Sequence, residues 1–177
     1  MEHNDVKYIS EMEAVKRFIK VYNEKNHTDF YEIEKNEWEN AKDGVNEVDV
    51  FCYSNSDIPR LKIQVTKCDP DFSAEFGRYM NYKKKNNFRN LFQNKLFARK
   101  ITLPEFSQNL KNVISNKSEK YKIETKKELI LLLDNLGAQP DLFFYKFKDN
   151  YKEFLQNTGF LEIWISGDNN FVLRLDE

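Results

Sequence analysis

The chain has little of what most directly advertises chemistry. Its two histidines, His3 and His27, both lie near the start, so an imidazole-driven acid–base site is not expected. It has only two cysteines, Cys52 and Cys68. Neither falls at metal-ligand spacing with a histidine, and the reading they favour is two small buried thiols rather than a zinc site or a disulfide. No Gly-rich phosphate loop, nucleophile elbow, internal repeat or low-complexity tract occurs. The run Leu129 to Leu133 is the longest unbroken aliphatic stretch, far short of the roughly 18 apolar residues of a spanning helix. The start of the chain lacks the apolar core of a secretory signal. These absences predict a cytoplasmic protein with no membrane partner. A formal charge of −1 also excludes a strong global pull toward polyanions.

What is present points to a folded domain. Fifteen phenylalanines and nine tyrosines in 177 residues are too many for a disordered chain, and the length suits a single domain over residues 1–177. Charge is unevenly spread. Residues 76–104 contain no Asp or Glu, while Arg78, Lys83, Lys84, Lys85, Arg89, Lys95, Arg99 and Lys100 all fall there. Tyr79, Tyr82, Phe88, Phe92 and Phe97 interleave these bases. Such a mixture suits either a nucleic-acid surface or amphipathic helices that use their aromatics in the core.

The clearest local pattern lies in residues 47–67. From Arg60 to Lys67 the chain alternates, with Leu61, Ile63 and Val65 on one face and Lys62, Gln64 and Thr66 on the other, which is the period of a strand. In the preceding stretch Val48, Val50 and Cys52 share an apolar face, leaving Glu47, Asp49 and Phe51 on the polar side. Paired as a hairpin, the two strands collect acid, lysine, amide and hydroxyl groups on one surface.

Asp49 on one strand, followed by Gln64 and Thr66 on the next, resembles the core of the PD-(D/E)XK nuclease superfamily. The resemblance implies that Asp49 and Gln64 hold a divalent cation, Mg²⁺, with Gln64 standing where the family carries its second acid. A cation of this kind prefers oxygen ligands, and a Gln carbonyl offers an oxygen without a charge. The family's lysine would fall at position 66, where this chain has Thr66; Lys67 or Lys62 would have to supply the positive group. Glu13, on the first helix, matches an acid that the family often places there and is a third candidate ligand. By the same resemblance Asp49, Gln64, Thr66, Lys67 and Lys62 form the catalytic set.

The rest of the chain supplies an element order. Residues 10–23 read as a helix, with Ser10 as cap and Met12, Val15, Phe18, Ile19 and Tyr22 at helical spacing. Residues 28–35 read as a strand. Helical patterning covers residues 73–87 and 88–100, and a further helix starts at Leu103-Pro104-Glu105 and runs toward Tyr121. Residues 129–133 suit a strand buried on both faces, although Thr125 to Glu128 also fits a helix capping box. Residues 141–156 read as one helix, and residues 161–166 and 171–175 as strands around a Gly167-Asp168-Asn169-Asn170 turn. The predicted fold is α/β, a mixed central sheet of the αβββαβ restriction-endonuclease-like type with a basic helical insertion.

The implied function is a divergent nuclease-like protein that acts on or binds nucleic acid, with weak or lost Mg²⁺-dependent phosphodiester cleavage. In that reading Lys83, Lys84, Lys85, Arg89, Lys95, Arg99 and Lys100 contact the nucleic acid. The alternative is a non-catalytic protein-interaction or structural domain of the same fold. A polar solvent face on an ordinary hairpin accounts for Asp49 and Gln64 equally simply.

Overall fold

The computed structural model describes residues 3–35, 48–68, 102–135, 141–167 and 171–177. The predicted helices over residues 73–100, and with them the basic residues from Arg78 to Lys100, lie outside the described residues, as does Glu47.

Helix α1 runs His3–Asn26, two turns earlier than expected, so Ser10 sits inside it and is not its cap. Its apolar stripe behaves as read. Ala14, Val15, Phe18 and Ile19 are buried, and Met12 and Tyr22 pack beside them. The helix ends at His27, whose φ of 53° breaks the helical path. Asn23 then ties the exit down, because its side chain donates to the Phe30 carbonyl at 2.7 Å and accepts from the Phe30 N–H at 3.0 Å. That pair of hydrogen bonds fixes where the next strand begins.

Strands β1 (Phe30–Lys35), β2 (Val50–Ser54) and β3 (Leu61–Lys67) form an antiparallel meander. Helix α2 (Leu103–Lys120) follows, opened by a capping box in which the Thr102 hydroxyl and the Glu105 carboxylate each accept the other residue's backbone N–H. A four-residue helix α3 (Ile123–Lys126) leads into β4 (Leu129–Asp134), which is buried at every position. The expected single helix over 141–156 is instead two, α4 (Asp141–Asn150) and α5 (Lys152–Gln156). The break falls at Tyr151, whose φ of −123° and ψ of 22° leave the helical region while its ring stacks on Phe147 at 4.9 Å. Strands β5 (Glu162–Ser166) and β6 (Val172–Arg174) complete the chain.

The six strands make one mixed sheet in sequence order, β1-β2-β3-β4-β5-β6. The pairs β3–β4 and β4–β5 are parallel and the outer pairs antiparallel. Helix α1 covers one face, where Ala14, Val15, Phe18 and Ile19 form one cluster with Val50, Ile63, Val65, Ile130, Leu132 and Trp164, and Phe18 meets Trp164 edge-on at 5.3 Å. Helices α2, α4 and α5 cover the other, where Phe106, Leu110, Phe144, Phe147 and Leu155 pack on Leu131, Leu133, Ile163 and Ile165. A strand between two apolar layers must be apolar on both sides, which is why Leu129 to Leu133 reads as a continuous run. The edges are guarded: β1 carries a register shift between Phe30 and Glu32, and β6 is three residues long with Arg174 ion-paired to Glu162 and Asp176.

Candidate functional site

The alternation of β3 sends Ile63 and Val65 into the layer under α1, and so turns Gln64 toward the α2 side. Asp49 comes to the same place from the opposite direction. It lies immediately before β2, its N–H donating to the Ile63 carbonyl at 3.0 Å, so its side chain stands across from Gln64. The pair predicted from the sequence is therefore brought together, and the contacts are specific. Asp49 Oδ2 accepts from Gln64 Nε2 and from the Val65 N–H at 2.9 Å. Gln64 Nε2 also donates to the Val65 carbonyl at 3.1 Å.

The other end of the amide is held by a residue that the motif reading did not include. Tyr121, at the C-cap of α2, donates its hydroxyl to Gln64 Oε1 at 2.6 Å. Its ring meets Phe160 edge-on, 6.2 Å between centroids. The sequence signal for Tyr121 was its place at the end of a helix leading to a buried strand, which by itself does not reveal a contact made 57 positions away. Gln64 is only 3 % exposed, and a buried amide without partners is costly. Both ends of this one are satisfied.

The remaining candidates are dispersed. Thr66 follows Gln64 on the same face and is buried. Lys67 is exposed at the end of β3 and alternates with Val65, on the opposite face from Gln64. Lys62 shares the Gln64 face, where it is ion-paired to Glu128; that hydrogen bond and the lysine's charge hold the Glu128 carboxyl below its usual range. Glu13 is bonded to Lys16 at 2.9 Å on α1, the helix that covers the other face of the sheet, and this bond lowers its pKa. It is not brought to Asp49 and Gln64.

These contacts test the expected Mg²⁺ against the donor set. Gln64 turns N–H donors toward Asp49, and its one oxygen receives a hydrogen bond from Tyr121, so of this pair only Asp49 offers a charged oxygen. Among the described residues no group of three His, Cys, Asp or Glu side chains gathers where it could hold a metal ion. The arrangement does not fit the cation that the motif implies. Both cysteines are buried free thiols, as expected, with the Cys52 thiol pushed up to about 12 by burial.

Fold and site together define an α/β protein with a mixed six-stranded sheet between helical layers and a buried amide bonded to a half-buried carboxylate at the β2–β3 junction. The chain matches no family model, no curated protein and no solved structure in the comparisons made with each. Among the described residues, no helix is long and apolar enough to cross a membrane.

Proposed function

We propose that this chain is a nucleic-acid-binding domain of nuclease-like, αβββαβ architecture whose own phosphodiester cleavage is weak or lost. The observation that carries the reading is Asp49, at the entrance to β2, facing Gln64 in the middle of β3, two strands of a meander followed by a helix and a parallel fourth strand. Thr66 in place of a lysine supports the loss of chemistry, since no cation stands two residues beyond Gln64 to meet charge developing on a phosphate. The acid-free span from Phe76 to Pro104 supports the binding half of the proposal.

Salt-dependent binding to duplex DNA tests it. Each phosphate neutralised by a lysine or arginine releases counterions, so affinity should fall steeply as salt rises. Replacing Lys83, Lys84 and Lys85 together by Ala should reduce the slope of log affinity against log salt by roughly 2–3 and weaken all sequences alike. Binding that does not change between low and high salt removes this function.

A further inference from the structure

We infer that the Gln64 amide occupies, in chemical terms, the role that a divalent cation would otherwise take at Asp49, so that the carboxylate is held in the fold without metal. A carboxylate at a half-buried position needs donors. Asp49 Oδ2 obtains two, from Gln64 Nε2 and the Val65 N–H, and both come from β3 itself. Two acceptors decide which way the amide points. The Asp49 carboxylate and the Val65 carbonyl, the latter at 3.1 Å, can each receive a hydrogen bond only from the Nε2 end of the amide. A tyrosine hydroxyl both donates and accepts, so Tyr121 fits this orientation without dictating it, donating to Oε1 at 2.6 Å. In that orientation the amide presents donors where a metal would require an acceptor. Gln64 is buried, so its own amide is shielded from water.

The inference rests on the nuclease-like reading for the place where a cation would be looked for, but its test reads cation-dependent stability and involves no nucleic acid. The thermal midpoint of the full chain is measured in chelator and in Mn²⁺ alone, for the wild type and for Asp49→Asn. The expected wild-type midpoints coincide, and Asp49→Asn lowers both by the same amount, since the bonds it weakens are internal. In a second arm, Gln64→Glu sets two carboxylates against each other; its midpoint should fall in chelator and recover in Mn²⁺, so that a cation response appears only in the variant. Should Gln64→Glu fail to fold under both conditions, the comparison of wild type with Asp49→Asn decides alone. A rise of the wild-type midpoint in Mn²⁺ that Asp49→Asn abolishes overturns the inference. That result would leave salt-dependent DNA binding untouched, whereas loss of the binding with no cation response would sink the proposed function and leave the inference standing.

Discussion

Arg17 on α1 reaches Asp134 at the C-terminal end of β4, Nη2 to Oδ1 at 3.3 Å, while its Nε donates to the Ser166 hydroxyl at 3.0 Å at the end of β5. The Asp134 side chain is fully buried and that of Arg17 is 20 % exposed. One guanidinium therefore locks the first helix to two parallel strands. Removing Arg17 takes away a charge-assisted hydrogen bond to a buried carboxylate, which costs about 1.5–3 kcal/mol. Arg17→Ala should lose stability in that range by urea unfolding, and Arg17→Met in an Asp134→Leu background should recover most of it.

Tyr121→Phe deletes the donor to Gln64 Oε1 and leaves a buried carbonyl oxygen without that bond. The expected loss is about 1–3 kcal/mol, checked by the shift of the urea midpoint at unchanged slope. A neutral Tyr121→Phe would mean that the amide is held by Asp49 and Val65 alone.

Gly159 has a φ of 85°, and a Cβ there would stand 2.5 Å from Ile123 Cδ1. The exposed end of Ile123 can swing aside, so backbone strain carries most of the cost, and Gly159→Ala should destabilise by about 1 kcal/mol. Pairing it with Ile123→Ala relieves the clash and not the strain. The double variant should therefore recover only part of the loss in thermal unfolding.

Cys52 provides a pH dependence with a definite sign. Burial raises its folded-state pKa to about 12, above the value of an exposed thiol, so the protonated form is favoured in the fold. The resulting stability is fully present below about pH 8.5 and is lost as pH rises toward the folded value, by up to about 1.4 kcal/mol for each unit. Lysines and tyrosines also titrate in this window, so the measurement is the difference between the wild type and Cys52→Ala. That difference should shrink steadily between pH 8.5 and the highest pH at which the fold persists. A pH-independent difference contradicts the assignment.

The parts of the fold that were legible in the sequence are those where one face or both must be apolar. The alternation Leu61, Ile63, Val65 and the run Leu129 to Leu133 both became strands; the run is buried throughout as anticipated, whereas the polar face of the first strand is buried as well, at Gln64 and Thr66. Caps were harder, because the same S/T-x-x-E signature occurs at Thr102 and at Thr125. Only the first opens a helix, while Thr125 lies inside α3. The start of α1 was missed because its first turns precede the apolar stripe, and the break at Tyr151 because aromatic spacing continues through it. At the site, the Asp49–Gln64 pair could be read because neighbouring strands fix register locally. The Tyr121 contact could not, since it depends on where a distant helix ends.

The parallel pairing of β3 with β4 has a kinetic consequence. The meander of β1, β2 and β3 uses short-range contacts and can close early, but the second edge of β3 must wait until Leu129 to Asp134 arrive after the longest connection between neighbouring strands in the sheet. Loop closure of that length is entropically slow, and long-range strand pairing is the usual bottleneck in such topologies. During synthesis the hairpin leaves the ribosome well before its partner strand, with Ile63 and Val65 on an edge that invites pairing with other chains. Gln64 lies on that edge too, its amide waiting for a tyrosine still to be made.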